Sequence, residues 1–126
     1  MYWTYNQRSG QLRDPQGRLC SGEGYSGAGP YKNLPEAERL RGAGPIPAGL
    51  YKIGAATGTR GPLTLPLLPL GHDAAGRTNL RIHGDSAKRP GEASTGCIIL
   101  ARAMREAICN SKSTELLVVN EPEWSV

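Results

Sequence analysis

At 126 residues the chain has the length of one domain and can bury a core without metal or disulfide staples. Its 17 glycines and 10 prolines, with no phenylalanine, point to a turn-rich globular domain; the apolar residues are too clustered for disorder. The net charge of +4 is spread along the chain with no aromatic-plus-basic strip for stacking bases, so nucleic acid is not expected and an anionic polymer such as a cell wall stays compatible.

The opening "MYWTYN" is aromatic and β-prone, and Ser9-Gly10 marks a turn. "DPQG" at 14–17 suits a type I turn, and "RLCSGEGYSG" is expected to return as a strand, making the first 25 residues a β-meander. Residues 26–48 form a long irregular loop in which "PEAERLR" supplies one or two helical turns from Pro35. "GLYKIGAA" at 49–56 reads as a strand. "GPLTLPLLPL" has the content of a buried strand, but its prolines confine it to an edge or break it.

"NLRIHG" at 79–84 is a clearer strand. Leu80 and Ile82 point one way, Arg81 and His83 the other. After Cys97, "IILARAMREAICN" has apolar residues at 100, 103, 104, 107 and 108, a helical pattern, and "TELLVVN" closes as a strand. The expectation is a mostly β fold with one main helix and no domain boundary within 1–126.

No run approaches the roughly 18 apolar residues of a membrane span. The start also lacks the basic and apolar regions of a secretory leader. No two of the cysteines, Cys20, Cys97 and Cys109, form a CxxC pair, and His72, His83 and Cys97 lack zinc spacing, so neither a metal nor a cofactor is expected.

The stretch "IHGDSAKRPGEASTGC" at 82–97 carries the chemistry. A cysteine is nucleophilic when partly exposed with its thiolate stabilised. Cys97 follows a glycine and precedes the expected helix, whose N-terminal N–H groups and dipole would favour a thiolate and an oxyanion. Gly96 permits a tight turn, and Ser94 or Thr95 is placed to cap the helix. A polar loop joins His83 to Cys97 and can fold back to bring base and nucleophile together. Asp85 or a backbone carbonyl would orient the imidazole. His72, in "LGHDAAGR", reads as a loop histidine. The order His-then-Cys differs from papain-like and NlpC-type peptidases; sortases share the order but have a much longer gap.

"IHGD…STGCI" resembles the active-site signature of YkuD-type L,D-transpeptidases. With "MYWTYNQRSGQL", "YSG" at 25–27 and "GPIPAGLYKIG" at 44–54, nearly the whole chain is similar to the type VI secretion L,D-transpeptidase effectors of Gram-negative bacteria. The resemblance implies a single catalytic domain with a YkuD-like β-sandwich. Cys97 would attack peptidoglycan tetrapeptide stems at the L-centre of diaminopimelate and His83 would act as base. The Gly84 carbonyl would orient His83, and the N–H groups of Thr95, Gly96 and Cys97 would hold the oxyanion. Ser94, Arg81, Arg77 and Asp85 are candidates for substrate contact. Water as acceptor gives L,D-carboxypeptidase action and a D-amino acid gives exchange, either of them toxic to a competitor.

Two departures favour the effector branch over housekeeping cross-linkers. Thr95 stands where those members have histidine, and Ile99 where they have a polar residue. The resemblance further implies synthesis in the cytoplasm without a signal peptide, delivery by a type VI system to a target periplasm, an immunity protein, a loading component of the apparatus, and, in an oxidising periplasm, Cys20 and Cys109 paired with Cys97 left free. The competing readings are a non-catalytic wall-binding module and a sortase-like cysteine peptidase.

Overall fold

The computed structural model describes residues 1–125. Trp3–Asn6 form β1, which turns at Gly10 and pairs antiparallel with β2, Leu12–Arg13. Gly10 has a φ of 77°, and a Cβ there would strike the Gly24 carbonyl, so only glycine fits. The turn at 14–17 closes as expected, with the Gly17 N–H donating to the Asp14 carbonyl at 2.8 Å.

The expected return strand is reduced to a single antiparallel bridge of Leu19 to Arg13, with the Cys20 N–H donating to the Leu12 carbonyl at 2.9 Å. Tyr25–Ser26, β3, do not rejoin the hairpin; they pair antiparallel with Ile98–Ile99, β7, at the far edge of the sheet. The chain passes over at Gly24, whose N–H donates to the Gly10 carbonyl at 2.7 Å and which lies against the Ile99 carbonyl, where a side chain has no room. In the long loop that follows, the expected helical turn is a single 3-10 turn at Pro35–Ala37, with another at Gly29–Tyr31.

Gly49–Ile53 form β4, shorter than expected, paired antiparallel with β5, Leu65–Leu70, and with β8, Glu115–Val119. β8 also pairs parallel with β1. β5 is neither an edge nor interrupted: the sheet order β2-β1-β8-β4-β5-β6-β7-β3 places it inside, with β6 being Arg81–His83. Its prolines are tolerated because it changes partner. Leu65 and Pro66 pair with β6 and Leu67–Leu70 with β4, and at the changeover Pro66 serves as an acceptor, its carbonyl taking the Gly54 N–H at 2.8 Å, while Leu67 donates its N–H to the Leu80 carbonyl at 2.9 Å. The change of partner bends the eight-stranded sheet into a curled half-barrel.

The helix α1 covers Arg102–Asn110, not the residues directly after Cys97. Ile98 and Ile99 are β-branched and buried, and they serve as a strand between β6 and β3. The helical pattern beyond them is real: Met104 and Ile108 enter the core, while Ala103 and Ala107 face outward. Tyr5, Tyr51, Ile82, Ile98 and Leu116 are fully enclosed in one apolar cluster. The architecture is mostly β with one α-helix, and no helix among the described residues is long and apolar enough to cross a membrane.

Candidate active site

The parallel pairing of β6 with β7 sets the site. Ile82 lies opposite Ile98 and His83 opposite Ile99. His83 therefore ends β6, and Cys97 sits one residue before β7. Continuing the register puts Arg81 opposite Cys97 and His83 diagonal to it, a relation that spans about 7–8 Å between Cα atoms. The 84–96 loop folds back as its composition requires.

His83 was expected on the uncovered face of its strand. It is buried instead, 3% exposed, because both faces of β6 are covered. Arg105 of α1 closes this end. Its Nε–H donates to the Leu100 carbonyl at 3.0 Å and its Nη1 to the Pro62 carbonyl at 2.7 Å, while Nη2 packs where a Gly84 side chain would be, 2.7 Å from that Cβ position. Gly84 is thus required by a close approach.

The orienting group of His83 is the Gly84 carbonyl, 2.9 Å from Nδ1. A carbonyl only accepts, so Nδ1 carries the proton and Nε2 carries the lone pair. Nε2 is buried and has no hydrogen-bond partner. Burial pushes the imidazole pKa below its ordinary value; the Gly84 bond opposes this, and the charges of Arg60, Arg105 and Arg81 reinforce it. Asp85 does not orient His83. Its carboxylate accepts from the Tyr25 hydroxyl at 2.6 Å and from the N–H groups of Ser86 and Gly91, and it organises the loop above the imidazole.

Cys97 is half-buried. Its Sγ donates one weak hydrogen bond, 3.7 Å to the carbonyl of Asn79, a residue held in the left-handed region at a φ of 59°. Burial raises the thiol pKa, opposed by the Arg81 N–H and guanidinium and by the charge of Arg60. Thiol and imidazole are both shifted toward their neutral forms. The expected helix-end stabilisation of the thiolate is absent because α1 starts at Arg102, after Ala101. No hydrogen bond joins Sγ to Nε2.

The turn before Cys97 is built by Ser94, which neither caps the helix nor faces substrate. Its buried Oγ accepts from the N–H groups of Gly27 (2.9 Å) and Gly96 (3.1 Å) and donates to the Cys97 carbonyl at 2.6 Å. The Gly96 N–H is therefore already committed and is removed from the expected oxyanion set. Replacing Ser94 by Ala leaves two buried donors unmatched. We expect a loss of about 1–3 kcal/mol, read as a lower urea midpoint with an unchanged slope.

Arg77 is also reassigned. Its Nη1 donates to the carbonyls of Glu38 (2.9 Å) and Pro45 (2.7 Å), and its Nη2 to those of Gly44 and Thr95 (both 2.9 Å). All four terminal N–H bonds are used, which leaves no fork for a substrate. Gly96, at a φ of 146°, packs directly on this guanidinium. His72 is structural: Nδ1 accepts from the Ala74 N–H at 3.0 Å and Nε2 lies 2.9 Å from the Leu50 carbonyl. Cys20 and Cys109, whose pairing the resemblance allowed, are free thiols like Cys97.

Cys97 opens on a cleft of about 260 Å³ shared with Arg41, Thr78, Asn79 and Gly96. His83 lines a second cleft of about 600 Å³ with Arg60, Asp85 and Glu92, and exposed Thr95 belongs to both. Sequence reasoning missed Arg41, Arg60 and Arg105. The first two had a signal: each sits beside a glycine in a turn, "LRGAG" and "GTRGP", where an arginine is presented rather than packed. Comparison of the chain with protein-family models, with curated proteins and with solved structures returned no match.

Proposed function

We propose that the chain is a cysteine-dependent L,D-carboxypeptidase/L,D-transpeptidase of YkuD-like type that acts on peptidoglycan tetrapeptide stems. The observation that carries the reading is the buried, unpartnered Nε2 of His83, its tautomer set by Gly84, on the strand paired with the one that follows Cys97. A desolvated lone pair with no structural use suits a general base.

Substrate binding and a χ1 change at Cys97 bring Sγ off the Asn79 carbonyl toward Nε2; such contacts are commonly long before substrate arrives. Sγ attacks the carbonyl carbon of the L-centre as Nε2 takes the thiol proton. The tetrahedral oxyanion forms beside the Arg81 and Arg60 charges. The C–N bond then breaks, and His83 gives its proton to the departing D-alanine amine. The thioester is released by water, giving the tripeptide, or by the amine of a D-amino acid, giving exchange. Removing the tetrapeptide donor starves normal cross-linking, which suits a toxin delivered by a type VI system to a rival's periplasm and held in check by an immunity protein.

The test is digestion of purified tetrapeptide muropeptides with added D-amino acid. Wild type is expected to release or exchange the terminal D-alanine, seen as a mass change, and Cys97→Ala is not. Unchanged tetrapeptide with the wild type sinks the reading and leaves the wall-binding module; cleavage at an internal bond instead favours a sortase-like peptidase.

A further inference from the structure

The cleft at Cys97 contains two arginines, Arg41 and Arg77, and no acidic side chain. Their situations differ. Arg77 is buried, 7% exposed, and its four terminal N–H bonds are spent on carbonyls; no carboxylate ion-pairs with it among the described residues. It is a fixed positive charge in the wall. Arg41 is exposed at the mouth and makes one hydrogen bond, from Nη2 to the Gly76 carbonyl at 3.1 Å. The rest of its guanidinium fork is available for a planar, bidentate partner. The remaining lining supplies further polar groups at Thr78, Asn79 and Thr95.

The geometry points to a carboxylate subsite beside the nucleophile, in which Arg41 grips the anion and Arg77 holds the field behind it. The ligand chemistry is a free carboxylate on the stem peptide. Two sources present it: the C-terminal carboxylate of the departing D-alanine, and the side-chain carboxylate of diaminopimelate on the acyl half. This assignment rests on the proposed reaction for the identity of the substrate, but not on turnover.

Two measurements test it. In the first, Cys97→Ala is titrated with tetrapeptide by calorimetry, with and without Arg41→Gln. Loss of a charge-assisted bidentate contact is expected to weaken binding roughly tenfold or more. In the second, KM and kcat are compared for wild type and Arg41→Gln on the free stem, on a stem amidated at the C-terminus, and on one amidated at the diaminopimelate side chain. Arg41→Gln is expected to raise KM on the free stem with kcat nearly kept. The penalty is expected to vanish on whichever amidated stem lacks the gripped carboxylate, which names the source. Binding that does not depend on Arg41, or an equal penalty on all three stems, overturns the subsite. The outcomes separate the two ideas. Turnover indifferent to Arg41 refutes the subsite alone; no turnover with Arg41-dependent binding refutes the reaction alone; neither turnover nor binding refutes both.

Discussion

His83→Asn is expected to lower kcat for D-alanine release by about 10²–10⁴, the range of a lost general base, while KM for the stem changes little. Asparagine is the informative replacement because its amide nitrogen sits near the place of Nδ1 and can still donate to the Gly84 carbonyl. What disappears is Nε2, the buried atom with no structural partner. A variant that keeps its fold and substrate affinity but loses the chemical step isolates the base from the scaffold. Unchanged kcat would remove His83 from the reaction.

The same residue predicts the pH profile. Only neutral His83 can accept the thiol proton, and its pKa lies below the ordinary imidazole value of 6.5. Activity is therefore expected to persist as pH falls through 6.5 and to decline only on the acid side of it. Stability moves in the same direction. The folded-state pKa is depressed, so the unfolded chain binds the proton more readily; the contribution is complete above the unfolded value and is lost as pH falls from there through the folded one. Chemical denaturation of wild type and His83→Asn across that interval checks the sign, since the variant should lose part of the acid sensitivity.

Arg77→Met is expected to destabilise the protein by about 3–5 kcal/mol, from four carbonyls each losing a charge-assisted donor at about 1 kcal/mol or more, and to lower Tm by roughly 10–20 °C. Methionine fills much of the volume but leaves the carbonyls of Glu38, Gly44, Pro45 and Thr95 without a donor. Those four carbonyls lie on three separate pieces of chain, the 3-10 turn region, the 44–45 corner and the turn before Cys97. Arg77 clamps the long loop to the turn before Cys97. A variant that melted like wild type and lost only substrate affinity would return Arg77 to the role of a ligand-binding cation.

Arg77 also shows where sequence reasoning stops. Nothing local distinguishes an arginine that binds a substrate carboxylate from one that is saturated by backbone carbonyls; the difference is made by residues 18 to 39 positions away. Ile98-Ile99 misled for a related reason. The periodicity from Leu100 onward extends backward across them without conflict, and the strand they form is decided by β6 and β3, neither of which is adjacent in sequence. β5 could not be placed inside the sheet from its prolines because its change of partner is a property of the neighbours. The local features were legible: the 14–17 turn, the β-branched and leucine run of β8 and the amphipathic run of α1, whereas the Gly84 carbonyl as orienter of His83 was implied by the family resemblance alone. Glycines flank His83 and Cys97, and the parallel register of β6 and β7 places the two on neighbouring strands.

The pairing of β1 with β8 has a consequence for how the molecule is made. Trp3–Asn6 pairs locally with Leu12–Arg13 but gains its second neighbour only from Leu116–Val119, more than a hundred residues further along the chain. Closing so large a loop precedes any gain from the contact, which places this domain with the non-local β topologies that fold in milliseconds to seconds. Through that delay one edge of the β1–β2 hairpin keeps its backbone donors and acceptors unpaired, which makes the final strand the step that closes this end of the sheet.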